Sequence, residues 1–172
     1  KALKILKLHY TSIDSFPNNF SSLIQLQTLE IQSNNADTLF TKKTLKGLYN
    51  LKNLTIFKSN LKEFPLGMER NKNLKNIVIV DCNIEKIDSE FYKNKVVSTL
   101  ILDKNKIKDF PLELINLKAL RELSLRDNKI KHLPEEVAKL SELKILDLRG
   151  NPISKYEINI IQILLPKCKV IH

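Results

Sequence analysis

The sequence of 172 residues contains no tryptophan, only three glycines and only two cysteines. Three isolated glycines cannot build a phosphate-binding loop, and two cysteines far apart in the sequence cannot form a disulfide scaffold or a zinc motif. The most apolar segment, residues 158–165, is interrupted by Asn159 and Gln162, so no run approaches the roughly 18 residues of a membrane span. These absences exclude a nucleotide-binding loop, a disulfide-rich module and a transmembrane helix.

Positive charge is in excess, because 29 Lys and Arg residues stand against 19 Asp and Glu residues and give a formal net charge of +10. Only four of the basic residues are Arg, whose planar fork is the group that phosphate recognition favours. The lysine excess is therefore weak support for nucleic-acid binding, and a compositional bias is the simpler explanation. Hydrophobic residues make up 42% of the chain, as in one soluble globular domain.

An internal repeat organises the chain. The pattern L-x-x-L-x-L starts seven times, in steps of 23 residues with a single step of 25, at Leu3, Leu26, Leu51, Leu74, Val97, Leu120 and Leu143. Its L-x-L alternation has a period of two, which predicts a short strand with one buried face in each unit. One unit cannot bury its own apolar stripe, so neighbouring units have to stack as parallel strands.

This pattern resembles the 23-residue leucine-rich repeat family, and residues 120–142 match the family consensus almost position for position. The resemblance covers nearly the whole chain and is closest to bacterial members, including those of spirochaetes. It implies an α/β fold, a right-handed leucine-rich repeat solenoid or horseshoe, with a parallel β-sheet on the concave face and turns and short helices on the convex face. It also implies a secreted or cell-surface protein that uses its concave face for binding.

We predict that residues 1–172 form a single solenoid whose C-terminal end is closed by a helix and a strand in residues 152–172. Ser154, with Glu157 three residues later, forms a capping box that opens the helix, and Pro166 ends it. The strand follows from Lys169 onward.

The first repeat has no equivalent cap. Lys1 and Ala2 lead directly into the first strand without a charged and apolar leader, so we expect a processed form or a piece of a longer chain. An open strand edge is a template for pairing. We therefore expect upstream residues or self-association to cover it.

The ninth position of the repeat carries small polar side chains that predict an asparagine ladder, since amides can satisfy buried turn groups. The column is Thr11, Asn34, Ser59, Cys82, Asn105, Asn128 and Asn151. Cys82 has a structural interpretation there and a redox or metal role as the alternative. Cys168 should lie roughly 15 to 20 Å away by strand spacing, which excludes a disulfide between the two cysteines.

Two further polar side chains, Asn71 and Asn94, replace leucine in adjacent repeats at a column that is otherwise apolar. We interpret them as amides that satisfy each other and nearby backbone, with a small polar site as the alternative.

No catalytic site is predicted. The three histidines, His9, His132 and His172, are spread over the first, sixth and terminal units, out of reach of a shared nucleophile. Asp81, Asp103 and Asp127 fall on successive units and raise the alternative of a metal site. Opposite charges alternate beside them, which favours lateral ion pairs instead. These pairs would form along the eighth-position column of Lys58, Asp81, Lys104 and Asp127, and between Asp103 and Arg126 at the seventh position. We expect no metal and no cofactor.

The concave face carries the candidate binding site. Its solvated positions should be polar, yet Phe57, Val78, Val80 and Ile101 coincide in repeats three to five; we call these four residues the apolar patch. The predicted site adds Thr55 beside the patch, His9 and Tyr10 on one side, and Asp103, Arg126 and Arg149 on the other. An apolar centre with a polar rim is the anatomy of a protein interface. The alternative is that β-branched residues simply favour strands.

A second hypothesis is that a basic rim binds a polyanion or an acidic surface. The rim consists of Lys4, Lys52, Lys75, Arg121 and Lys144 at the second repeat position, with Lys72, Lys95 and Lys118 close by. It lacks the interleaved aromatic residues that stack on bases, so we do not expect nucleic acid as the partner.

Overall fold

In the part of the chain that the structure describes, a parallel sheet of eight strands, ordered as in the chain, forms the frame of the fold. The computed structural model describes residues 3–13, 15–33, 40, 44–68, 71–87 and 89–172. The strands are β1 (Ile5–Thr11), β2 (Thr28–Ser33), β3 (Asn53–Phe57), β4 (Asn76–Val80), β5 (Thr99–Ile101), β6 (Glu122–Ser124), β7 (Ile145–Asp147) and β8 (Lys169–Ile171). Equivalent repeat positions pair, as Asn53 does with Asn76, except at the end of β1, where the register shifts and Thr11 pairs with Ser33. The predicted parallel stacking of the repeats is confirmed.

The core lies directly behind the sheet, because the fourth and sixth repeat positions point inward. Leu54, Ile56, Ile77 and Ile79 are fully buried, whereas their strand neighbours are not. The equivalent residues of β1 are only half-buried, since β1 forms the outer edge of the sheet. Each inner strand therefore buries its apolar face against the units on both sides, as stacked repeats require.

The convex side consists of turns and short 3-10 helices. The helices span Phe20–Ser22, Ser89–Lys93, Leu112–Asn116 and Glu135–Lys139. Pro111 and Pro134 directly precede the last two helices, where the missing proline N–H costs nothing. Their carbonyls accept hydrogen bonds from Leu114 N at 2.9 Å and Val137 N at 3.0 Å.

Helix α1 (Lys155–Leu164) precedes β8 at the C-terminal end. Ser154 caps it, because its Oγ accepts a hydrogen bond from Glu157 N at 3.2 Å. The second half of the predicted capping box is wrong. The Glu157 carboxylate accepts a hydrogen bond from Leu133 N at 2.6 Å and lies 3.3 Å from His132 Nδ1. It turns this way because α1 packs against the 3-10 helix that follows Leu133.

The asparagine ladder behind the strands is confirmed at Asn105, Asn128 and Asn151, whereas the Thr11 hydroxyl in the same column has no hydrogen-bond partner among the described residues. Asn105 Nδ2 donates to Ile79 O at 2.8 Å and to Leu102 O at 2.9 Å, while its Oδ1 accepts from Cys82 N at 3.2 Å and Ile84 N at 3.0 Å. The same pattern recurs one and two repeats later, at Asn128 and Asn151. Asn34 lies outside the described residues.

Cys82 is a structural member of this ladder. Its Sγ donates to Val80 O at 3.2 Å and to Ile56 O at 3.6 Å, and burial raises the pKa of the thiol to about 12. Cys82 and Cys168 are both free thiols, as the strand spacing predicts.

Asn71 and Asn94 bind backbone groups, which confirms their structural interpretation. Asn71 Nδ2 donates to Leu48 O at 2.7 Å, and its Oδ1 accepts from Leu74 N at 3.0 Å. Asn94 Nδ2 donates to Asn71 O at 2.9 Å, and its Oδ1 accepts from Val96 N at 3.0 Å. Each amide therefore ties one repeat to the next, through backbone rather than through the other side chain.

Candidate functional site

The four residues of the apolar patch are brought together on the concave face by strand register. Phe57 pairs with Val80, and Val78 pairs with both Thr55 and Ile101. All of these side chains are half-buried, in contrast to the fully buried leucines on the other face of the same strands. The patch thus presents apolar surface to solvent in the middle of the sheet.

Histidine and glutamate side chains border the patch toward β1. The His9 ring contacts Phe57 edge to face, with centroids 5.4 Å apart, and its Nε2 lies 2.7 Å from Glu30 Oε1. Lys7 Nζ lies 2.9 Å from Glu30 Oε2. The hydrogen bond from Lys7 lowers the pKa of the Glu30 carboxyl, against the opposing effect of burial. Lys7, His9 and Glu30 therefore form a paired cluster, of which sequence reasoning selected only His9.

Tyr10 does not join this cluster. Its backbone is left-handed, with φ of 54°, at the point where the β1–β2 register shifts. The side chain is 88% exposed. The backbone turn therefore takes the Tyr10 side chain out of the row of concave-face side chains in which His9 lies, although Tyr10 is still part of β1.

Charged residues border the patch toward β7. Asp103 Oδ1 accepts hydrogen bonds from Ser124 Oγ at 2.5 Å and from Arg126 N at 3.1 Å, and burial raises the pKa of its carboxyl. Arg149 Nε donates to Asp147 Oδ1 at 3.0 Å, and hydrogen bonding from Arg149 lowers the pKa of the Asp147 carboxyl. Sequence reasoning missed Ser124 and Asp147, which share the fifth repeat position with Val78 and Ile101.

The predicted ion pairs at the eighth repeat position are wrong. Lys58, Asp81, Lys104 and Asp127 have left-handed backbones, with φ between 46° and 58°, which break the row of side chains at or just beyond the strand ends. No ion pair within 4 Å joins neighbours of this column in the described parts of the chain. The Arg126 guanidinium pairs with Asp127, Nε to Oδ2 at 3.2 Å, and only the backbone of Arg126 reaches Asp103.

A row of polar side chains lies along the opposite margin of the concave face, at the third repeat position. Asn53 Nδ2 donates to Thr28 Oγ1 at 3.2 Å, and Asn76 Nδ2 donates to Asn53 Oδ1 at 2.7 Å. The patch therefore has hydrogen-bonding groups beside it as well as charges at each end.

Other kinds of site are not apparent in the residues that the structure describes. They contain no group of three His, Cys, Asp or Glu side chains placed to hold a metal ion, and no helix long and apolar enough to cross a bilayer. An open groove of about 700 Å³ lies away from the concave face, with Phe110, Leu112 and Leu133 among its lining residues. None of the predicted site residues lines this groove.

Comparison with known proteins identifies the repeat. Residues 95–153 match a family model described as leucine rich repeat. An LRR protein of Leptospira interrogans is 28% identical to this chain, with a TM-score of 0.71, over 99% of this chain and 49% of its own length. This chain therefore has a leucine-rich repeat fold. The predicted horseshoe fold is confirmed, and the Leptospira structure supports the predicted bacterial class.

Two plant structures share the leucine-rich repeat fold at lower identity. The peptide hormone receptor RGFR1, in complex with RGF2, is 17% identical with a TM-score of 0.68, over 98% of this chain and 32% of its own. The LRR ectodomain of the receptor kinase GASSHO1/SCHENGEN3 from Arabidopsis thaliana, in complex with CASPARIAN STRIP INTEGRITY FACTOR 2, is 20% identical with a TM-score of 0.66, over 98% of this chain and 23% of its own. No curated protein matches the sequence significantly. The chain spans about half the length of the Leptospira protein.

Proposed function

We propose that this leucine-rich repeat protein is a non-catalytic interaction module that binds a protein partner on its concave face. The apolar patch carries the proposal, because it exposes half-buried Phe57, Val78, Val80 and Ile101 at the centre of a rigid sheet. A hydrophobic centre with a polar rim is how protein interfaces are built. The two plant receptors of the same fold were solved in complex with RGF2 and CASPARIAN STRIP INTEGRITY FACTOR 2.

The charge of the concave face favours a protein over a polyanion. The chain as a whole has a net charge of +10. The third, fifth and seventh repeat positions in the described residues, together with β8, are balanced, with four basic residues against four acidic ones: Lys7, Arg126, Arg149 and Lys169 against Glu30, Asp103, Glu122 and Asp147. The excess positive charge thus lies on the rims and the convex side. A polyanion would gain no net attraction from the surface that carries the patch.

The experiment compares concave variants against a partner that immobilised protein recovers. Phe57→Ala should weaken binding by about 1 to 3 kcal/mol, mainly through faster dissociation, because it removes a central aromatic anchor. Val80→Asp should do the same by placing a charge in the patch. Ile145→Ala is the matched control, since Ile145 is 36% exposed on the same face but lies three strands beyond Val80.

Thermal melts of all variants report whether folding is intact. Phe57 is half-buried, so we expect its truncation to leave the fold essentially unchanged. Equal loss of affinity in Phe57→Ala and Ile145→Ala would contradict a site centred on the patch.

The basic rim supports a second candidate function, binding of a polyanion or an acidic surface. All eight of its side chains are exposed, and none forms an ion pair within 4 Å in the described residues. Binding to heparin and to DNA over a salt series tests it, with Lys52→Glu and Lys75→Glu as the variants. Larger losses in these variants than in Phe57→Ala, disappearing at high salt, would favour the polyanion.

We infer that the partner is met at a bacterial surface or in a host, which the Leptospira similarity supports and which cell fractionation tests.

We also propose that the outer edge of β1 mediates self-association. Sedimentation over a concentration series tests this, and a monomer at every concentration would contradict it.

A further inference from the structure

The Asp103 carboxylate differs from the other charged groups at the margins of the apolar patch. Glu30 pairs with Lys7, and Asp147 pairs with Arg149. Within the described chain, no cationic side chain lies within 4 Å of Asp103, because the neighbouring Arg126 guanidinium pairs with Asp127 instead. Asp103 is therefore a half-buried carboxylate that lacks an ion-pair partner.

Asp103 is also held in a fixed position. Its Oδ1 accepts from both Ser124 Oγ and Arg126 N, while its Oδ2 has no hydrogen-bond donor among the described residues. These two hydrogen bonds favour the charged form, yet burial outweighs them and raises the pKa of the carboxyl. The protein thus replaces only part of the hydration that this charge loses.

The open oxygen belongs to a side chain that adjoins the apolar patch. Asp103 O accepts a hydrogen bond from Asp81 N at 3.0 Å, which continues the pairing of β4 and β5 and sets Asp103 next to Val80. Adjacent strands are about 4.8 Å apart. One extended segment can therefore reach both groups with two side chains that lie on the same face of the segment.

We propose that the partner of the concave face places a lysine or arginine side chain on Asp103 beside an apolar side chain on the Phe57–Val80 end of the patch. This inference rests on the proposed function and specifies the partner's chemistry. A cation at this position restores the interactions that burial removes, and the neighbouring apolar contact excludes water from the pair. The rest of the chain, with its charge of +10, opposes a basic partner only weakly, because salt screens charges beyond about 8 Å.

The test selects peptides from a random phage-displayed library on the intact protein and discards those that also bind Phe57→Ala. We expect the enriched sequences to carry Lys or Arg within a few residues of an aromatic or branched aliphatic residue. Asp103→Asn should lower the affinity of a synthetic peptide of the enriched sequence by about 10- to 100-fold. The asparagine keeps the oxygen that Ser124 and Arg126 bind, so the melting temperature should not fall.

The matched control is Glu122→Gln, which removes the same charge from a half-buried position on the same face, away from Val80. We expect it to change affinity by no more than about twofold. Replacing the basic residue of the peptide with glutamine should weaken binding to the wild-type protein but hardly affect binding to Asp103→Asn. Non-additivity of this kind shows that the two groups interact directly.

The outcomes separate this inference from the proposed function. Peptides that need Phe57 but lack a basic residue, or that lose equal affinity in Asp103→Asn and Glu122→Gln, would overturn the cation pair and leave the concave site intact. Enrichment of acidic peptides would also overturn it. If every selected peptide also bound Phe57→Ala, so that none survived the counter-selection, the concave site itself would be contradicted.

Discussion

Replacing Asn105 with alanine should destabilise the protein strongly, although no apolar side chain is lost. Asn105 Oδ1 accepts from Cys82 N at 3.2 Å and Ile84 N at 3.0 Å, and both amides are buried. Each buried donor left without a partner costs about 1 to 3 kcal/mol. Two such donors give an expected loss of about 2 to 6 kcal/mol, a large part of the stability of a typical domain.

Urea denaturation and thermal melting, followed by circular dichroism, measure this loss. For a chain of this size we expect the melting temperature to fall by roughly 5 to 20 °C. Asn76→Ala is the matched control, because the exposed Asn76 side chain donates a single hydrogen bond, to Asn53 Oδ1. It should change stability by less than about 0.5 kcal/mol.

Asn105→Asp tests the donor role of the amide separately, because it keeps the acceptor oxygen but places a carboxylate against Ile79 O and Leu102 O. We expect it to destabilise at neutral pH and to recover on acidification, when the protonated acid can donate again. If Asn105→Ala cost no more than Asn76→Ala, backbone satisfaction would not be what the ladder contributes.

The remaining predictions concern titratable and capping groups. Because the folded-state pKa of Asp103 is raised, its charge destabilises the fold at neutral pH, and Asp103→Asn should raise the urea midpoint there by an amount that vanishes as pH falls below about 4. Because the pKa of Asp147 is lowered, Asp147→Asn should lower the urea midpoint at neutral pH, and this loss should disappear on acidification. Equal pH profiles for the two variants would refute the opposite pKa shifts of Asp103 and Asp147. Cys82, buried and with its pKa raised to about 12, should react with iodoacetamide only as fast as the chain opens, so denaturant should accelerate its labelling, as peptide mass spectrometry can check. Ser154→Ala should cost about 1 kcal/mol in thermal melts by removing the cap of α1, and an unchanged melting temperature would contradict that role.

The sequence by itself determines the repeat, the register and the identity of the inward and outward positions. A strand alternates its side chains strictly, so the spacing of Leu54 and Ile56 already places Thr55 and Phe57 on the opposite face. The equal spacing of the units then aligns Phe57 with Val80 without further information. The sequence also predicts the ladder from the polar column at the ninth position, because stacked turns all have buried backbone groups that need hydrogen-bond partners.

Only the tertiary structure decides how the charges pair. Sequence columns assign Lys58, Asp81 and Lys104 to one row, but their left-handed backbone, at or just beyond the strand ends, breaks that row. Arg126 lies beside Asp103 in sequence register, yet its guanidinium pairs with Asp127, and Glu157 binds Leu133 N rather than its own helix start. Long side chains choose among several partners within reach, and local backbone angles with nearby burial settle the choice. This is why the apolar patch can be read from the repeat, whereas the unpaired carboxylate of Asp103 cannot.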